Sequence, residues 1–172
     1  MDLKAEIKKF LKGDVLDDAV TLAQYSRDAS LFYITPKLVA FPKDAEDIEN
    51  LVGFVNENKP MISDLSLTAR SAGTDMSGGP LGESIIVEFN KYFNHIEEIG
   101  PDYIITEPGV YYRDFEAETL KKGLILPSFP ASRGICALGG MLANNAGGEK
   151  SLIYGKTKDY VESLNVVLSD GK

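Results

Sequence analysis

Apolar residues recur along this chain at two spacings. In residues 2–12, Leu3, Ile7, Phe10 and Leu11 share one helical face, and Gly13-Asp14 stops the pattern. Leu38-Val39-Ala40-Phe41 is continuously apolar and ends at Pro42, which predicts a buried strand over 37–41. Asp44 is a candidate cap for a helix whose apolar face is Ala45, Ile48, Leu51, Val52 and Val55, ended by Asn58-Lys59-Pro60. Further strands are predicted over 65–68, 84–89, 103–106 and 161–168. A helix is predicted over 112–122, with Gly123 just past its end. Residues 124–150 show neither period and are rich in Gly, Pro, Ala, Ser and Asn. So long an irregular stretch in a compact domain is usually functional. Asp170-Gly171 after the last predicted strand is a hairpin signal without a return strand. It predicts a domain cut short at residue 172.

Composition narrows the classes of function. With 172 residues and 44% hydrophobic content, the chain can bury a core. A net charge of −8 gives no basic footprint for nucleic acid or anionic lipid. The single cysteine, Cys136, excludes an internal disulfide and a Cys-based zinc site. Its apolar neighbours Ile135 and Ala137 predict a buried, inert thiol. The single histidine, His95, reads as a surface turn residue, and no metal site is expected. The N-terminus lacks the apolar segment of a signal peptide, and no run approaches the ~18 apolar residues of a membrane span. The expected location is the cytoplasm.

Two glycine-bearing segments carry the candidate chemistry. The first, residues 69–79, reads ARSAGTDMSGG. The second, residues 139–148, reads GGMLANNAGG. Glycine lets backbone N–H groups converge on an anion and lets the backbone approach a ligand closely. Arg70 offers a fork of donors, and Thr74, Asp75 and Ser77 offer side-chain hydrogen bonds. The familiar nucleotide motifs do not fit. No G-x-G occurs among the 16 glycines, which excludes the dinucleotide fingerprint. Gly155-Lys156-Thr157 ends like a P-loop, but Lys150 stands where its first glycine belongs. No G-x-S-x-G elbow is present. The residues by themselves predict an acidic domain of mixed strands and helices, with two candidate anion-binding loops and no evident catalytic group.

Further short stretches occur in a fixed order. They are YSRDAS at 25–30, RSAGT at 70–74, TEPGV at 106–110, GLILP at 123–127 and PAS at 130–132. LGGMLANNAGG at 138–148 and YGKTKDY at 154–160 follow. In this order and spacing the chain resembles the FAD-binding domain of the p-cresol methylhydroxylase and vanillyl-alcohol oxidase superfamily. Within it, the chain is most similar to FAD-linked oxidases of the glycolate oxidase and D-lactate dehydrogenase type. The resemblance runs from about Tyr25 to Gly171.

The resemblance implies an α+β fold, a PCMH-type FAD-binding domain of two small subdomains. They would comprise residues 1–60 and 61–172, with the second incomplete. It implies FAD held non-covalently, because members that bond FAD through this loop carry histidine where Thr74 stands. Arg70, Ser71, Ala72, Gly73, Thr74, Asp75, Ser77 and Gly78 would cradle the diphosphate. Pro130, Ser132, Gly139, Gly140, Asn144, Asn145 and Gly147 would line the flavin, and Tyr154 and Thr157 would close the turn beyond them. Ala72 and Ala137 depart from the glycine and threonine common at those places. The implied activity is oxidation of a small 2-hydroxy acid by hydride transfer to FAD. Catalytic residues would lie in a C-terminal substrate domain or partner subunit. An FAD-holding module without catalysis, or a fragment that does not retain flavin, is the alternative. An exposed strand edge could also pair two copies of the chain.

Overall fold

The computed structural model describes residues 1–172. Helix α1 (Leu3–Ile7) and strand β1 (Asp14–Leu16) lead to α2 (Ala19–Tyr25), β2 (Leu38–Phe41), α3 (Ala45–Asn58), β3 (Leu67–Arg70) and β4 (Ile85–Glu88). The β5–β6 hairpin (Ile96–Ile99, Ile104–Thr106) follows, then α4 (Tyr112–Leu120), α5 (Leu138–Ala143), α6 (Ser151–Tyr154) and a 3-10 turn at Thr157–Tyr160. This is the expected α+β arrangement of strands and helices.

The four-stranded sheet has the order β1-β2-β4-β3. β4 is parallel to both neighbours, and β1 is antiparallel to β2. The apolar runs of β2 and β4 are explained by cover on both faces. On one face Leu38, Ala40, Ile85 and Val87 meet Ile7, Leu11, Leu51 and Val55 from the α1 region and α3. On the other, Val39, Phe41 and Ile86 meet Leu22 and Tyr25 of α2.

A second core gathers Val110, Tyr112, Phe115, Phe129, Cys136, Leu138 and Met141, with Ile96 and Ile104 packed against it. Residues 67–88 therefore belong with the first core, and a division at 60/61 falls inside one sheet. Tyr112 ties the second core together: its hydroxyl donates to the Leu126 carbonyl at 2.7 Å. Tyr112 N–H also donates to Cys136 O at 3.0 Å, beside a bridge between Tyr111 and Ala137.

Three expectations need correction. The N-terminal helix is only Leu3–Ile7, continued as turns. Residues 161–168 form no strand, because no neighbouring segment pairs with them. Between Glu162 and Val167 no backbone group bonds to the protein, and Leu164, Val166 and Leu168 stay exposed. The irregular 124–150 stretch contains α5, whose short Gly-Gly-bearing sequence hides its period. The turn at Asp170-Gly171 does form, and Asn56 Nδ2 of α3 donates to Ser169 O at 2.6 Å.

α3 is fixed at its start by carboxylates. Asp44 caps the Asp47 N–H at 3.0 Å. Asp47 is fully buried and accepts N–H bonds from Lys12 and Lys43 at 2.8 Å and from Gly13 at 3.2 Å. It thus joins α3 to the loop before β1. Asp47→Ala leaves three donors unpaired, and a loss of about 3 kcal/mol is expected in urea unfolding. An unchanged midpoint would refute this role.

Candidate functional site

β3 ends at Arg70, and β4, its parallel neighbour, ends at Glu88 opposite it. The candidate loop therefore leaves the carboxyl end of a parallel strand, a place where open α/β sheets hold ligands. Arg70 turns its fork inward. Nη2 donates to Arg27 O at 2.8 Å and Nη1 to Tyr25 O at 3.4 Å, and the guanidinium lies over the Tyr25 ring. Burial lowers its pKa from the ordinary arginine value, opposed by nearby Tyr25, Asp28 and Glu88. Burial likewise raises the pKa of Glu88, against the pull of the Lys91 and Asn90 N–H bonds.

The loop is shaped from both sides. Gly73 has φ +66°, and a Cβ there would run into the Arg70 guanidinium. Only glycine meets both conditions without strain. Ala29 N–H donates to Asp75 O at 3.1 Å, so the 25–30 stretch is stapled to the loop. Asp75 organises the far end: Oδ2 accepts Gly79 N–H at 2.7 Å and the Ser77 hydroxyl at 2.8 Å. The backbone N–H groups of Ser71, Ala72, Gly73, Thr74 and Asp75 donate to no protein acceptor. Five consecutive free donors on partly buried backbone are suited to an anion.

The second segment meets this loop across a narrow gap. Asn144 Nδ2 donates to Asp75 Oδ1 at 3.2 Å. A Cβ on Gly140 would lie 3.2 Å from Ser71 Oγ, and one on Gly139 would lie 2.9 Å from Pro108 O. Small residues thus let α5 approach both the loop and the TEPGV turn. Asn145, at φ +45°, accepts Lys158 N–H through Oδ1, while Thr157 is buried with its hydroxyl on Ala146 O at 2.7 Å. Gly147 lies beside the Ser151 hydroxyl.

Other expected residues stand further out. Tyr154 is half exposed; its N–H donates to Lys150 O at 3.0 Å and its carbonyl accepts the Tyr160 hydroxyl at 2.6 Å. Pro130 and Ser132 lie on the turn that precedes Cys136, and Gly78 sits against the Phe32 ring. Sequence reasoning gave no role to Tyr25, Arg27, Ala29 and Phe32, which enclose the first loop. The YSRDAS stretch that bears three of them was their one visible signal. Cys136 is buried and its thiol is pushed up by desolvation, while His95 is exposed and bonds to Glu107 at 2.8 Å.

A family model described as an FAD binding domain matches residues 36–172. The chain belongs to this FAD-binding family. It is 28% identical over 163 residues to a D-2-hydroxyglutarate dehydrogenase of Pseudomonas putida, covering 94% of this chain and 16% of that one. It is 33% identical to the glycolate oxidase subunit GlcD of Bacillus subtilis, covering 86% and 31% respectively. A D-lactate dehydrogenase of Archaeoglobus fulgidus is 31% identical, with 84% and 34% covered. This FAD-binding chain therefore spans about a sixth to a third of these relatives. Its fold matches 6-hydroxy-D-nicotine oxidase from Arthrobacter nicotinovorans with TM-score 0.79 at 21% identity, covering 94% of this chain and 35% of that one. It matches a chitooligosaccharide oxidase with TM-score 0.77 at 18% identity, covering 98% and 35%.

FAD is the family's cofactor, and the first loop fits it. A diphosphate needs converging donors, and the 71–75 amides are free to supply them. No helix is long and apolar enough to cross a membrane.

Asp75 gives the loop a pH limit. Its pKa is lowered, first by the Gly79 N–H bond and then by the Ser77 hydroxyl. A depressed folded value means that its stabilisation is present above the unfolded value and is lost as pH falls through the folded one. NMR of the Gly79 amide is expected to report an intact bond at neutral pH and its loss below the usual aspartate value of about 3.9. Asp75→Asn should abolish this titration; its persistence would assign the bond elsewhere.

Proposed function

We propose that this chain is the FAD-holding part of a flavin-dependent oxidoreductase acting on a small 2-hydroxy acid. The row of free N–H groups at residues 71–75, set opposite Gly140 and Asn144, is the observation that carries the reading. The relatives named for D-2-hydroxyglutarate, glycolate and D-lactate support the substrate class. FAD, when bound, supplies the hydride-accepting chemistry.

The chain's own residues bind and orient. The 71–75 amides would hold the diphosphate, with Asp75 and Ser77 fixing the shape of the loop. Arg70 spends its fork on the carbonyls of Tyr25 and Arg27, so its charge would act on a bound diphosphate through space. Gly139 and Gly140, which carry no side chains, would let the flavin ring lie against backbone. Pro130, Ser132, Asn144, Asn145 and Gly147 would continue that surface, and Tyr154 and Thr157 would close it. Thr74 cannot form the bond that a histidine there would make, so the cofactor is held non-covalently at this position. The two subdomains divide near residue 90, between the two cores, with the cofactor between them. The acid is turned over in the parent protein with residues outside this chain.

The test is a flavin titration of purified protein, with free ligand removed and visible spectra taken before and after acid precipitation. Flavin is expected to be retained and then released into the acid supernatant. Gly73→Val, checked for folding by circular dichroism, is expected to retain at least tenfold less, since the side chain displaces Arg70 and strains a positive φ. Flavin that stays with the precipitate would refute non-covalent binding. Full retention by folded Gly73→Val would refute the loop assignment.

A further inference from the structure

One side of the 70–79 loop is held by the connector between α2 and β2, residues 26–37, which contains no helix or strand. The connector meets the loop at three places. At the loop's start, Arg70 Nη2 donates to Arg27 O at 2.8 Å. In its middle, Ala29 N–H donates to Asp75 O at 3.1 Å. Near its end, the Phe32 ring occupies the place of a side chain on Gly78, where a Cβ would lie 2.8 Å from Phe32 Cδ2. The first two contacts stand at either end of the free amides of residues 71–75.

The connector is itself shaped by short-range bonds. Ile34 N–H donates to Ser26 O at 3.0 Å, which closes residues 26–34 on themselves. Ser26 is fully buried, and its hydroxyl donates to Leu22 O at 2.6 Å, so this closed segment is rooted on α2. Asp28 Oδ1 accepts Ser30 N–H at 2.8 Å, and Ser30 Oγ accepts Phe32 N–H at 3.1 Å. These two turns set the path of the chain between Ala29 and Phe32. Apolar burial contributes little, because Leu31, Phe32 and Tyr33 are each more than half exposed. A segment held by a few hydrogen bonds and little buried apolar surface opens locally at low cost.

We propose that residues 26–34 are a clasp that keeps the 71–75 donor row in shape, with Phe32 as its positioning side chain. Arg27 and Ala29 are two residues apart, yet they hold loop groups five residues apart. Five extended residues would span roughly 17 Å, so a tie this short keeps the row bent. The Arg70 guanidinium carries the tie inward, since it lies against Gly73 in the middle of the row. The consequence for cofactor affinity rests on the flavin reading above; the grip of the clasp on the loop does not. By linkage, a cofactor that needs the bent row also stabilises the closed clasp.

The test begins with the chain free of flavin. Phe32→Ala removes the contact at Gly78 and leaves every hydrogen bond of the clasp available. Amide exchange followed by NMR is expected to be about tenfold faster at Ala29 in this variant, the effect of losing a half-buried ring contact. The amide signals of residues 71–75 should move with it. Val39 and Ile86, both fully buried in the sheet, should exchange as before. Phe32→Leu, which keeps an apolar contact, should restore most of the protection. In a titration with FAD, Phe32→Ala should bind about tenfold more weakly and Phe32→Leu nearly normally, and FAD should slow exchange at Ala29 in the unaltered chain. Unchanged exchange at Ala29, unmoved 71–75 signals, or an equal loss of protection at Val39 and Ile86 would each overturn the clasp. So would full FAD affinity in a Phe32→Ala chain whose clasp has loosened. An unaltered chain that binds no FAD refutes the flavin reading instead, and exchange at Ala29 still decides the clasp.

Discussion

The structure depends on β4 lying between β2 and β3 and parallel to both. This arrangement sends the carboxyl ends of three strands to one edge of the sheet. It sets Arg70 opposite Glu88, so the loop after β3 and the turn after β4 start side by side. The first becomes the donor row at 71–75. The second passes into the second core, where Asn90 Nδ2 holds Gly109 O at 2.7 Å. Both walls of the candidate site thus hang from one pairing, sealed on each face by apolar contacts. Hydrophobic burial holds the sheet, while hydrogen bonds to loop backbone aim its products.

Charge is used sparingly around the site, and its role is mostly to shape backbone. Arg70 is spent on two carbonyls, Asp75 on two N–H groups and a hydroxyl, and Glu88 on the turn at Asn90 and Lys91. These groups spend their hydrogen bonds on neighbouring backbone and leave the 71–75 amides free. A dipolar cradle held in this way costs little reorganisation when an anion enters.

The sequence by itself determined the buried strands and the longest helix. Leu38–Phe41 and residues 85–87 are apolar throughout, and Asp44 announces α3 before its apolar face begins. It also determined the family, since the ordered short motifs and their glycines survive as chemical requirements of backbone shape. Tertiary structure decided the rest. β1 has three residues and is defined only by pairing with β2. α5 is too short to show a period and is set by the approach of Gly139 to Pro108. Residues 161–168 have strand-like side chains but no partner, and a strand is a property of two chains rather than one. The direction of the Arg70 fork was likewise invisible, because its acceptors, the carbonyls of Tyr25 and Arg27, lie more than forty residues away and carry no side-chain signature. Local pattern records burial and turn chemistry; which backbone group meets which donor is settled only when the sheet brings distant segments together.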